Sequence, residues 1–455
     1  MDYPLWIPGI GAGVLIGLVA IAHVLVSHFA VGGGIVMAVV ETLAVKRQDQ
    51  ALRNLAKRTS LILILVSTVF GAISGVGIWV TIGLLHPVAT SALIHSYVWG
   101  WATEWVFFIL EVATALAYYA TWDKVRPRTH LLLIWLYAFA AFMSLVIIQG
   151  IISFMLTPGN WLQTKAFADG FFNPTYVPGL VLRTGICVFL AGAYMAFAAL
   201  REQDLAARAR LVRFLAGIQV VGILITYGGY RWWEAALPES IRALFLGASP
   251  KLPALASTRH FLLWMLLAYL VFVLFALLAP KAQRWPITAV ALVLAFAFFG
   301  GYERLREGAR KPFIIRDYMF SNGILISEIA KLNKEGILSK AKWLMVGQPD
   351  DPVAKGRAVF RAQCAMCHTE NGYLGIRKLI SGADAETLDM ILTTMRDEGE
   401  KYTSNQYRQN GHVATEKLDY PFMPPFVGTE EEKEALKAYL VTLTGTKVAE
   451  VSHGN

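Results

Sequence analysis

The chain has 455 residues, of which 56% are hydrophobic and only 16% charged, and its mean hydropathy is +0.50. An ordinary soluble globule, with about 25% charged residues, is thereby excluded. The formal charge of +9 does not argue for nucleic acid, because Lys and Arg fall mainly in short loops between apolar runs, as in membrane proteins whose basic loops face inward.

Residues 6–45 are almost wholly apolar, too long for one span, and Lys46 and Arg47 mark the inner end. Counting back about 25 residues places the outer boundary near Ile21, with the preceding segment along the outer interface. No Lys or Arg precedes Lys46, so the n-region of a cleaved signal peptide is missing, and the first span is expected to stay and act as its own insertion signal. His23 and His28 fall in its outer half. They are five residues apart and point about 140° from each other, so they do not ligate one iron from the same side. Either they serve two separate groups or one is a hydrogen-bonding residue. Gly32 shares the face of His28, where a missing side chain would let a flat ring approach.

The second span is expected over 61–85 and an outer loop over 86–99. The third, 101–121, carries Glu104 and Glu111, seven apart on one face and about 10 Å along the axis. Two carboxylates on one face of a membrane helix suit a proton relay, although structural bonding to neighbouring helices is the plainer alternative. The fourth span ends before Thr157-Pro-Gly-Asn. The loop after it, with Trp161, Phe171, Phe172 and Tyr176, reads as an interfacial aromatic belt. The fifth span holds Arg183 near its outer end, the sixth ends near Tyr227, and a surface segment with Arg231-Trp-Trp-Glu234 follows. Arg259 and His260 open the seventh span. The eighth leaves near Tyr302, on the outer side by the alternation of basic loops.

Residues 303–313 form a dense charged cluster at that surface, suited to haem propionates, which Arg binds in bidentate fashion. A connector covers 313–350. In the tail, Cys364-Ala-Met-Cys367-His368 has the spacing of c-type haem attachment: two thiols add to the vinyl groups and the adjacent imidazole takes an axial position. A zinc site would want a second Cys/His pair, and the only other cysteine, Cys187, lies in an apolar run. The second axial ligand is expected to be Met423, in a Pro-flanked loop, with His412 as competitor; a Met/His pair raises the haem potential. Haem c is attached on the outer face of a bacterial-type membrane, which agrees with the outward exit of the eighth span.

With these residues in view, the first span from His23 to Glu41-Thr42, the Phe108-Ile-Leu-Glu111 stretch, Phe154-Met-Leu-Thr-Pro158 and Glu307-Gly-Ala-Arg310-Lys-Pro312-Phe resemble motifs of subunit I of cytochrome bd quinol oxidases. The resemblance covers roughly residues 10–320, and the tail from about 350 looks like a class I cytochrome c. It implies that His23 is the axial ligand of the oxygen-reacting haem and that Glu307 ligates the high-spin haem b. It also implies that Arg310 is a propionate partner and that Glu111 lies on the proton path. Glu104 is one position off the family's first acidic residue. In the family, a His on the fifth helix and a Met on the seventh hold the low-spin haem b that takes electrons from quinol. Here Arg183 and Phe261, next to His260, stand at those positions. The quinol-binding loop is short, and a haem c domain replaces the ninth helix.

The expected fold is therefore all-α. A polytopic bundle of about eight spans (1–312), N-terminus outside, is joined by a connector (313–350) to a small all-α cytochrome c domain (351–455). The chain is expected in the bacterial inner membrane, with the cytochrome c domain on the periplasmic face. The cofactors implied are covalent haem c and one or more b- or d-type haems, for which His23, His28, His260, Arg183, Arg259, Arg310 and Glu307 are the candidates. The expected activity is that of a bd-like terminal oxidase subunit, fed through haem c and reducing O2 to water with protons from Glu104 and Glu111. The alternative is a non-oxidase subunit passing electrons between quinone or a partner complex and periplasmic cytochrome c. A second membrane subunit and a periplasmic electron donor or acceptor are the partners implied.

Overall fold

The structure is a computed structural model, which describes residues 5–7, 9–246, 253–404 and 418–445. His412 lies outside them. Among the described residues, eight helices are long and apolar enough to cross a membrane: α1 Ala12–Arg47, α2 Gln50–Leu85, α3 Val98–Ala120, α4 Pro127–Phe154, α5 Tyr176–Ala199, α6 Leu205–Ala236, α7 Leu255–Leu278 and α8 Trp285–Ala309. Local chemistry sets their ends. Asp49 caps α2 by accepting from the amides of Ala51 and Leu52, and Asp204 caps α6 through Ala206. Pro127 opens α4, where a missing amide proton costs nothing.

Several elements differ from the expected boundaries, among them α2, which begins at Gln50 rather than near residue 61, and the expected loop 86–99, which is helical over Pro87–Ser96. Helix α1 begins at Ala12 rather than near Ile21, and its 36 residues extend roughly 54 Å, well beyond the ~30 Å hydrocarbon core. Helix α6 continues to Ala236, so Trp233 and Glu234 are buried in its last turns rather than in a surface segment. The aromatic loop after α4 folds inward: Trp161, Phe171 and Tyr176 are buried and only Phe172 is exposed. Phe171 stacks on Phe167 and packs where Gly150 leaves room.

The chain divides into two compact units. One comprises residues 20–78 and 94–309 and holds most of the helical bundle. Within it, α5 packs along α6, α3 along α4, and α7 along α8.

The other comprises residues 1–19, 79–93 and 310–455. Its small antiparallel pair, β1 Phe313–Ile315 and β2 Met319–Phe320, shares a core with α9 Pro352–Gln363, α10 Ala385–Thr403 and α11 Glu430–Leu443. Helices α9 and α11 cross closely at Gly356: a Cβ there would lie 1.9 Å from the Ala435 carbonyl oxygen. Thr429 and Glu432 form a capping box on α11. The carboxylate of Glu432 also accepts from the amides of Ile337 and Leu338, tying the connector to that helix.

Candidate haem-binding sites

The attachment motif begins at the C-terminal end of α9, whose cap is Cys364. Both thiols are free and half-buried. The His368 Nδ1 lies 2.9 Å from the Leu374 carbonyl oxygen, which fixes the ring and leaves Nε2 for an axial bond. Gln363 bridges the start of the motif to the Met423 loop, donating to the Val427 carbonyl at 2.7 Å and accepting from the Val427 amide at 2.9 Å. Met423 is half-buried, with its amide bonded to the Tyr420 carbonyl. Thiols, oriented imidazole and thioether loop in one small helical unit fit a covalent haem.

In the bundle, α2 is π-helical over Ile64–Gly71, a distortion frequent at functional sites. Just beyond it, Ser74 Oγ lies 3.1 Å from His23 Nδ1. A Cβ on Gly75 would come within 3.1 Å of the His23 ring, so this glycine is what seats the imidazole. Nε2 is left for a ligand bond, and His23 fits an axial role.

His28 is held differently. Its Nδ1 lies 2.8 Å from the Val24 carbonyl, and its Nε2 receives Arg183 Nη1 at 3.2 Å. Gly32, on the same face, meets the backbone of α5: a Cβ would fall 1.8 Å from the Cys187 carbonyl oxygen. The space expected to admit a flat ring is therefore filled by a helix.

Arg183 is fully buried and donates to Glu303 Oε1 at 2.6 Å. Its guanidinium lies over Tyr302 and Phe299, and Phe299 packs on His28. Glu303 also accepts from Arg306, which reaches on to Glu307 Oε1 at 2.7 Å. The result is a continuous chain His28–Arg183–Glu303–Arg306–Glu307. A guanidinium paired in this way does not ligate iron, and Phe261 offers no ligand atom. The residues at this position do not fit a low-spin haem b. Arg306 Nη1, like Arg183 Nε, is buried without a hydrogen-bond partner in the structure, the kind of donor a propionate takes up. Glu307 beside it is part-exposed; this pair fits a haem periphery.

The remaining candidates are spread out. Arg259 donates to Glu234 Oε1 at 2.7 Å, joined there by Tyr230 and Arg231. His260 is exposed. In the other unit, Arg310 is buried and donates to the Ile314 carbonyl. No group of three or more His, Cys, Asp or Glu side chains is placed to hold a metal ion among the described residues.

On α3, Glu104 accepts from Ser144 at 2.9 Å and Glu111 from Tyr137 at 3.2 Å. Sequence reasoning passed over Glu41, Tyr118 and His130, which meet in a buried cluster. The seven-residue step from Glu104 to Glu111 to Tyr118 was a signal that could have found it. It also passed over His86, buried just beyond α2, whose Nε2 lies 3.0 Å from the Ser321 carbonyl. Burial, with Arg310 and Lys311 nearby, pushes its imidazole down to about 4.

Comparison with known proteins agrees with this architecture. Residues 12–230 match the profile of cytochrome bd terminal oxidase subunit I, and residues 353–444 match that of cytochrome c. The search of curated proteins gave no match. Among solved structures, the bd oxidase from Geobacillus thermodenitrificans is similar with a TM-score of 0.58 at 14% identity, over 68% of this chain and 90% of that one. The chain carries a cytochrome bd subunit I-like membrane domain fused to a cytochrome c domain. The eight long apolar helices and the bd subunit I match fit a multi-pass membrane protein similar to haem-containing respiratory oxidases.

Proposed function

We propose that this protein is a bd-like terminal oxidase subunit that receives electrons at its cytochrome c domain and reduces O2 to water. The observation that carries the reading is the contrast between two sites in the bundle. His23 is seated by Ser74 and Gly75 with Nε2 available, whereas the position of the family's low-spin haem is closed by Arg183 and Glu303. Haem, when bound, supplies the redox chemistry and an open iron position for O2. The chain's own residues do the rest. His23 would be a ligand to a haem, Glu307 and Arg306 would bind such a haem, and Glu111 and Glu104 would move protons; Arg310 is a propionate candidate from the motif resemblance alone.

With the basic loops inside, the cytochrome c domain stands on the periplasmic face and meets a soluble electron donor there. The apolar exposed faces of α2 and α3, including Phe70, Ile73, Val76, Trp105 and Ile109, suit a second membrane subunit as well as lipid.

Rapid mixing of the fully reduced protein with O2 tests the reading. Non-covalent haem is expected to reoxidise within milliseconds with haem c following, and His23→Ala to abolish the fast phase. Membrane haem that stays reduced for seconds, while added cytochrome or quinone oxidises it, would instead favour an electron-transfer subunit.

A further inference from the structure

Glu41 lies six residues before Arg47, towards the end of α1 that carries the basic loops, and is only 3% exposed. Its two carboxylate oxygens take separate donors. Tyr118 Oη donates to Oε2 at 2.5 Å, and His130 Nδ1 lies 2.5 Å from Oε1. The other ring nitrogen of His130 lies 3.0 Å from the Tyr118 carbonyl oxygen. Nε2 faces a carbonyl and so donates, and one proton lies between Nδ1 and Glu41 Oε1, carried either by an imidazolium facing a carboxylate or by a neutral acid facing a neutral ring. A buried ion pair is costly where apolar side chains would pack as well.

The cluster also has a direction. Tyr118, Glu111 and Glu104 repeat every seven residues along α3, in steps of roughly 10 Å on one helical face. At the other end, Trp122 packs against His130 with the rings tilted and centroids 4.3 Å apart. Over Trp122 lie Arg53 and Lys57, both paired with the exposed Asp123.

We propose that Glu41, His130 and Tyr118 form the proton-loading end of the line that runs through Glu111 to Glu104. This rests on reading those two carboxylates as a proton relay. His130 gives its Nδ1 proton to Glu41. The neutral acid passes a proton, by way of Tyr118 Oη and intervening water, towards Glu111. The imidazole then recovers one proton from the aqueous side past Trp122. Each cycle moves one proton and no electron.

The test is proton uptake by the detergent-solubilised holoprotein when a flash-excited flavin donor reduces its haems, read with a pH-indicating dye. Glu41→Gln and His130→Gly are expected to slow uptake at least tenfold with native haem absorption retained. Added imidazole should restore the His130→Gly variant, and Glu41→Asp should fall between. Wild-type uptake in both Glu41→Gln and His130→Gly, with Glu111→Gln slow, overturns this inference and leaves the relay standing. Wild-type uptake in Glu111→Gln and Glu104→Gln as well overturns the relay itself, and the loading cluster with it. Slow uptake in His130→Gly that imidazole does not restore, together with wild-type uptake in Glu41→Gln, reduces the cluster to a packing role and also overturns the inference.

Discussion

At Arg183 the chain places a guanidinium where no water reaches, balanced by Glu303 at 2.6 Å and by His28 at 3.2 Å. Removing one partner of such a pair leaves an uncompensated buried charge, at a cost of roughly 3–5 kcal/mol, whereas replacing both by apolar groups is far milder. Arg183→Ala is therefore expected to lower the thermal stability of the bundle, and Arg183→Met combined with Glu303→Gln, which keeps an acceptor for Arg306, to recover part of the loss. Melting curves of the purified variants check this, and a double variant no better than the single one would contradict the pairing. The sequence marked Arg183 as a departure from the bd pattern. It did not reveal the reason, because the partner lies 120 residues away and only packing brings the two together. The haem c motif is the opposite case. Its chemistry depends on a local spacing, so Cys364, Cys367 and His368 were legible in the sequence alone.

Among the helices, hydropathy and basic loops made the eight spans legible, while their ends were less so. Helix α6 runs past Tyr227 because nothing in Gly228 to Ala236 stops it before Pro238. The π-helical segment of α2 has no pattern that a periodicity argument detects, yet it precedes the residues that seat His23. The short link after α2 makes a testable connection. His86 is buried against Ser321, whose hydroxyl lies 4.0 Å from the Cys367 sulfur. Its imidazole is depressed from 6.5 to about 4 in the folded state. The unfolded chain therefore binds the extra proton first. The contribution is fully present above about 6.5 and is lost as pH falls towards 4, amounting to roughly 3 kcal/mol. Thermal melts followed by haem c absorbance should show wild type losing stability between pH 7 and pH 4.5, and His86→Gln losing clearly less. Equal losses would place the acid sensitivity elsewhere.

For the molecule as a whole, the proposed function implies that the fusion replaces one route of electron arrival by another. The family's low-spin site needs a His and a Met. This chain has Arg183 in a salt bridge at the first position and Phe261 at the second, and it carries a covalent haem motif beyond its last span. On the proposed function, electrons arrive through haem c and not from quinol. Oxygen consumption by the purified protein, given either a reduced soluble cytochrome c or a quinol, tests it most directly, with Cys364→Ala/Cys367→Ala alongside. The account predicts O2 uptake with the cytochrome donor, little with quinol, and its loss in the double variant. Quinol-driven O2 uptake that survives removal of both cysteines would contradict it.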